Sequence, residues 1–219
     1  MERSKVAIII PCFNEEKTII KLVNNLINYG VPIIINDNSS DRSLELLKSI
    51  NEKIILFSNE KNLGYEKTLQ VGFEIAEKNN FEIAITIDAD NQFNYLDVGL
   101  LLEKSKEFDI LIAERQKLQR FGEYLFSILF NILFKIKDPL SGLKLYKLEL
   151  FRENNKIFDS QSLIGTELLI RSLIKGKKIS TVKVKTVDRL DESRYGNSFK
   201  ANIKIITGLL KILKIILVK

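Results

Sequence analysis

Asp88, Ala89 and Asp90 follow directly on an apolar run, Ile83-Ala84-Ile85-Thr86-Ile87. Two carboxylates at i and i+2 beyond a buried strand bring two hard oxygen donors near one point if the chain turns there. Mg2+ and Mn2+ prefer such donors and also take the oxygens of a substrate phosphate. Without a cation, two acids at that position are expensive to bury. The structural alternative is a helix cap for the segment from residue 96 onward, but Asn94 already suits that role. The rest of the inventory narrows the chemistry further. The 219 residues include no histidine and one cysteine, Cys12. Histidine-dependent triads, imidazole ligands, disulfide frameworks and multi-thiolate zinc sites are therefore excluded. Any metal must be held by oxygen, and any proton must move through a carboxylate, a lysine or a tyrosine. Cys12 reads as a small buried hydrophobe, since nothing nearby in type can activate it.

The elements that must position these residues alternate. Apolar β-rich runs at 6–10, 32–35, 54–57, 83–87 and 110–112 read as strands buried on both faces. Between them, residues 15–29, 41–50, 67–79 and 96–106 carry apolar residues at helical spacing. That alternation implies βαβ units and a mainly parallel sheet, so the chain is placed in the α/β class. In the second half, 122–137 is an apolar helix broken by Asp138-Pro139-Leu140-Ser141-Gly142. A short strand over 143–146, a helix over 167–174, an alternating strand over 178–187, a polar loop over 188–199 and a final helix over 201–219 complete the pattern.

Parallel α/β sheets bind ligands at the carboxyl ends of their strands. The polar residues expected on that edge are Asn14, Glu15 and Glu16; Asn36 to Asp41; Asn59 and Asn62; Asp88 to Gln92; and Glu114 with Arg115. Any one group is ordinary turn chemistry, and it is their coincidence on one edge that points to a site. Neither GxGxxG nor GxxxxGK[ST] is present, which disfavours a Rossmann dinucleotide site and a P-loop.

Five segments carry a family resemblance. Pro11-Cys12-Phe13-Asn14-Glu15, Asn36-Asp37-Asn38-Ser39-Ser40-Asp41, Asn62-Leu63-Gly64, Asp88-Ala89-Asp90-Asn91-Gln92 and Asp138-Pro139-Leu140-Ser141-Gly142 occur in the order found in family 2 glycosyltransferases. The chain resembles in particular the dolichol-phosphate mannose synthases and related polyprenyl-phosphate sugar transferases, over about residues 5–200. The resemblance implies a GT-A fold, a Rossmann-like mainly parallel sheet flanked by helices, over residues 1–199, with a basic amphipathic helix over 200–219. It implies an inverting hexosyltransferase that uses Mg2+ or Mn2+ and moves a sugar from a GDP- or UDP-sugar to a polyprenyl (dolichyl-type) phosphate. Pro11, Asn14, Glu15 and Asp37 would line the nucleotide pocket. Asp88 and Asp90 would hold nucleotide and metal, with Gln92 a further metal ligand. Ser141 and Gly142 would shape the sugar pocket, and Arg115 and Arg120 would contact phosphates or acceptor. Glu167 matches an acidic position and is the candidate base for a hydroxyl acceptor. Arg194, Gly196 and Ser198 resemble a phosphate-contacting segment. The chain departs from the family at Asn36-Asp37, where two adjacent acids are common, and at Tyr65-Glu66-Lys67, where small residues are usual. Two other readings stay open: a saccharide hydroxyl as acceptor, and a non-catalytic module that binds a nucleotide sugar.

Charge adds a constraint. Residues 1–170 carry 21 Lys and Arg against 25 Asp and Glu, a net −4, while residues 171–219 carry 13 against 3, a net +10. In the final helix, Lys200, Lys204, Lys211 and Lys214 project to one face and Ile206, Leu209, Leu213 and Ile216 to the other. Such a helix packs on the domain or on a second chain, or lies in the plane of an anionic membrane with residues 122–137 beside it. Nucleic acid is a poor partner for a basic tail without interleaved aromatics. No secretory signal and no run of about 18 uncharged apolar residues is visible. The expectation is a cytoplasmic protein held peripherally on the cytoplasmic face of a membrane.

Overall fold

The structure is a computed structural model and describes residues 2–158, 163–187 and 198–217. Among the described residues seven strands form one sheet: β1 (Val6–Cys12), β2 (Val31–Asn36), β3 (Ile55–Ser58), β4 (Ile83–Thr86), β5 (Ile110–Arg115), β6 (Lys144–Lys147) and β7 (Ile179–Val184). Their order is β3-β2-β1-β4-β6-β5-β7. The pairs β1·β2, β1·β4, β2·β3 and β5·β7 are parallel, as the alternating pattern implies. Strand β6 enters between β4 and β5 and runs antiparallel to both. A helix-length segment, α5 (Phe121–Phe134), separates β5 from β6 and would suit a parallel crossover, so this inversion was not legible in the sequence.

Among the described residues eight α-helices cover the sheet: α1 (Ile19–Leu26), α2 (Ser43–Lys48), α3 (Tyr65–Lys78), α4 (Tyr95–Lys104), α5 (Phe121–Phe134), α6 (Glu149–Arg152), α7 (Ile164–Ile174) and α8 (Ser198–Leu217). The continuous Ile run of β1 follows from its central place, since it needs apolar side chains on both faces. Ile8 and Ile10 pack with Leu22, Leu26, Val98 and Leu101 on the face covered by α1 and α4. Ala7 and Ile9 point the other way, into a core with Phe73, Phe126, Phe130 and Tyr146 under α3, α5 and α7. Phe73 anchors that second core, with its ring stacked on Phe151 at 5.0 Å and edge-on to Tyr146 at 5.5 Å. The chain is thus a three-layer α/β/α structure.

The C-terminal helix packs on the domain, against α5 and α7. Its fully buried seam is Ile205, Gly208 and Ile212, one position round from the expected Ile206, Leu209, Leu213 and Ile216, of which Leu209 and Ile216 still pack partly buried against the core. Glycine notches explain this rotation. At Gly122 of α5 an added Cβ would lie 2.7 Å from Ile205 Cγ2, so only glycine lets α8 approach with Ile205 at the contact. The Gly122 N–H also donates to Asn202 Oδ1 at 2.8 Å. Among the described residues no helix is long and apolar enough to cross a membrane.

Candidate active site

Beyond the carboxyl ends of β1 and β4, where strand order switches direction, lies a cavity of about 460 Å3. Pro11, Glu15, Asp37, Asp88, Asp90, Gln92, Arg115, Arg120, Ser141 and Gly142 line it, bringing together most of the residues singled out from the sequence. Asn14 is placed differently. Its backbone is left-handed at φ 56, its N–H donates to Ser39 Oγ at 3.0 Å, and its Oδ1 accepts from the Ser40 N–H at 2.7 Å. It ties the loop after β1 to the loop after β2 and is not on the cavity wall. Asp37 is on the wall, but its carboxylate is occupied. Oδ1 accepts from Asn59 Nδ2 and the Leu63 N–H, both at 2.8 Å, and Oδ2 accepts from the Gly64 N–H at 2.9 Å. Asp37 therefore holds the Asn62-Leu63-Gly64 loop in place.

At the end of β4, Asp90 is buried and Asp88 half-buried. Asn94 caps α4, its Oδ1 accepting from the Leu96 N–H at 3.0 Å, so the two aspartates are not needed as helix caps. Asp90 Oδ1 accepts from the Gln92 N–H at 3.1 Å, which folds the turn back over the strand end. The Tyr65 hydroxyl donates to Asp88 Oδ1 at 2.9 Å. Gly142 lies so close against Asp88 that any Cβ would overlap its carboxylate, and Thr86 Oγ1 fixes that glycine by donating to its carbonyl at 2.9 Å. Ser141 is buried, with its Oγ donating to the Leu143 carbonyl at 3.4 Å. The donor set fits a hard divalent cation: two carboxylates and one amide oxygen on one wall, beside a backbone kept bare of a side chain. Among the described residues no group of three or more His, Cys, Asp or Glu forms an all-protein cage. Such a set leaves coordination positions for phosphate oxygens.

Cationic groups share the cavity. Arg115 clamps Asp138 through Nε–Oδ2 at 2.8 Å and Nη2–Oδ1 at 2.9 Å, and reaches Glu123 Oε2 at 3.2 Å. Arg120 Nη1 meets Glu123 Oε1, also at 3.2 Å. The two arginines are thus pre-oriented by a shared carboxylate. The wall also holds residues not assigned to the site from the sequence, among them Tyr65, Glu66, Glu123, Lys144 and Lys204. Glu66 is half-buried on the cavity wall and its Oε2 accepts from the Ile164 N–H at 2.9 Å. Burial, opposed by Lys204 and the Ile164 N–H, pushes its carboxyl up to about 7. Lys144 is 3% exposed, and burial pulls its ammonium down to about 8 against the attraction of Asp138 and Glu66. The signal for Lys144 was a lone charge inside an apolar strand, and for Tyr65-Glu66 the departure from the family's small residues. Cys12 is buried on the cavity side, and burial pushes its thiol up to about 12, in keeping with an inert hydrophobe.

Glu167 is corrected in position. It is 1% exposed, bonded to Arg171 Nη2 at 2.7 Å and paired with Lys211 Nζ at 3.6 Å, and it is absent from the cavity wall. Two residues, about half a turn of α7, separate it from the wall residue Gly165, so it projects away from the cavity, and its carboxylate fastens α7 to α8. The role of base is not carried forward. Arg194 and Gly196 lie outside the described residues, and Ser198 begins α8.

Residues 7–153 match the model of "Glycosyl transferase family 2". The chain is 30% identical over 124 residues to the UDP-N-acetylglucosamine--dolichyl-phosphate N-acetylglucosaminyltransferase of Methanococcus voltae, covering 47% of this chain and 49% of that protein. It is 27% identical over 205 residues to the dolichol-phosphate mannosyltransferase of Pyrococcus furiosus, covering 82% of this chain and 55% of that protein. The chain thus spans about half the length of these two relatives. Among solved structures it superposes on glucosyl-3-phosphoglycerate synthase from Mycobacterium tuberculosis in complex with Mn2+, UDP and phosphoglyceric acid. The TM-score is 0.72 at 17% identity, covering 96% of this chain and 78% of that one, a likeness of fold.

Proposed function

The chain belongs to glycosyl transferase family 2, and from that membership and the cavity we propose that it moves a sugar, with inversion, from a nucleotide-sugar donor to a polyprenyl phosphate. The observation that carries the proposal is the joining of Asp88 and Asp90 with Arg115 and Arg120 in one cavity, at the edge where a sheet of this kind binds ligands. The polyprenyl-phosphate transferases among its relatives, the two described above included, support the choice of acceptor.

As the donor's anomeric carbon takes on oxocarbenium character, negative charge builds on the departing diphosphate. A Mg2+ or Mn2+ ion held by Asp88, Asp90 and Gln92 would supply Lewis-acid stabilisation to that diphosphate. Arg115 and Arg120 add fixed positive charge, already oriented by Glu123 and Asp138, so little reorganisation is needed as charge develops. Gly142 gives the donor access to the Asp88 carboxylate. A phosphate acceptor is ionised near neutral pH, so it needs positioning more than a base. The placement of Glu167 outside the cavity favours that acceptor over a hydroxyl.

The same reading lays α5 and α8 on a lipid surface. Phe121, Tyr124, Ile128 and Ile132 project from α5, and Ile203, Leu210 and Leu217 from α8, all exposed. Exposed Lys117, Lys135, Lys137, Lys204 and Lys214 belong to the same two helices and their flanks, as expected of a surface that meets anionic headgroups.

The test is transfer of radiolabel from UDP- and GDP-sugars to polyprenyl phosphate in the presence of Mn2+, read as organic-extractable label. Asp88→Asn and Asp90→Asn should each abolish it. Full turnover in both variants would remove the mechanism.

A further inference from the structure

Lys144 has no use in the scheme above. It sits on β6 in the middle of the sheet, between Thr86 of β4 and Ile112 of β5. It is 3% exposed, and its remaining surface faces the cavity. Among the described residues it has no hydrogen-bond or ion-pair partner. A buried ammonium without a partner is one of the most costly groups a fold can keep, and its lowered proton affinity records that strain. Its surroundings show what would relieve it. The first turn of α7 borders the same wall, with Gly165 and Thr166 on the cavity. A Cβ on Gly165 would lie 3.8 Å from Lys144 Nζ, which sets the ammonium beside the start of an eleven-residue helix. The first N–H groups of a helix lack intrahelical partners and carry partial positive charge. One of them, on Ile164, already donates to a carboxylate oxygen, Glu66 Oε2, at 2.9 Å. Lys204 of α8 reaches the same wall.

We propose that Lys144 and the first turn of α7 form an anion subsite, with Lys204 at its edge, that takes the phosphate monoester of the acceptor. This rests on the transferase reading. The location is consistent with electrostatics: a second phosphate beside Asp88 and Asp90 would be repelled, whereas two ammonium groups and a helix start attract it. Glu66 is the carboxylate bonded to that helix start, and burial already draws it toward its neutral form, while Asp138, which also acts on Lys144, is clamped by Arg115. In the step itself, an acceptor phosphate oxygen bonds to the anomeric carbon as the carbon–oxygen bond to the diphosphate breaks. The electron pair leaves on the diphosphate, and no proton or redox partner is needed.

Calorimetric titration tests the subsite with four probes: farnesyl phosphate, farnesol, 3-phosphoglycerate, and UDP with Mn2+. Lys144→Met should weaken farnesyl phosphate at least tenfold and leave UDP–Mn2+ within twofold. It should also raise the melting temperature, because an unpaired buried charge is gone, whereas loss of a structural lysine would lower it. Lys144→Arg should keep most of the phosphate affinity, and farnesol should not bind. Unchanged farnesyl phosphate affinity in Lys144→Met overturns the subsite. Lys144-dependent binding of 3-phosphoglycerate in preference to farnesyl phosphate upholds the subsite and assigns it to a soluble phosphate. Lys144-dependent binding with no sugar transfer to any prenyl phosphate upholds the subsite while removing the lipid-acceptor function.

Discussion

Single side chains in this cavity are held under tension, and that tension is measurable. Glu66 keeps its proton up to about pH 7 in the native state, whereas an unfolded glutamate releases it near 4.5. Between those values the native state binds more protons, so stability falls as pH rises. Lys144 acts in the opposite direction at higher pH: the unfolded chain holds its proton above about 8, and stability recovers toward 10.5. Denaturant unfolding should therefore show a minimum of stability between about pH 7 and 8. Glu66→Gln should remove the decline on the acid side, by about 1–3 kcal/mol at neutral pH. An unchanged pH profile would mean that Glu66 is solvated. Gly142 is a second sensitive point. Gly142→Ala must push the Asp88 carboxylate aside, and a displacement on the order of 1 Å at such a position costs about 10²-fold in turnover. Steady-state kinetics with intact melting behaviour would show it.

At the level of elements, Glu167 is a fastener between α7 and α8. Glu167→Ala should destabilise the fold by about 1–3 kcal/mol, because it leaves Arg171 and Lys211 without their buried carboxylate. Below the melting transition its turnover should stay within about twofold of the parent, whereas loss of a general base would cost about 10²–10⁴-fold. The sequence displayed Asp88-Ala89-Asp90 and the alternation of β1 to β5 because burial on both faces of a central strand demands unbroken apolar runs. It concealed the seam of α8, because Gly122 turned the helix by one position and a periodicity count does not sense a partner's notch. It also concealed Lys144. Inside Leu143-Lys144-Leu145-Tyr146 the charge resembles an edge position, and only the insertion of β6 between β4 and β5 makes it central. That insertion also pins the register. A slip by one residue would drive the ammonium into the apolar layer that now holds Leu143 and Leu145.

For the molecule as a whole, the exposed faces of α5 and α8 predict adsorption to anionic vesicles. Ile128→Ser combined with Leu210→Ser should cut co-sedimentation with phosphatidylglycerol vesicles several-fold without altering the melting temperature. Raising salt should weaken binding of the parent protein. Equal co-sedimentation of parent and variant would remove the lipid-facing assignment. α8 has a double allegiance: Lys204 and Ile205 belong to the cavity, while Ile203 and Leu210 face outward on the same rigid rod. Whatever shifts that rod at one side is felt at the other. By thermodynamic reciprocity, if occupancy of the cavity changes how firmly the rod is seated, adsorption must change the affinity for the occupant by the same factor. Substrate capture and interfacial recruitment then become one coupled equilibrium.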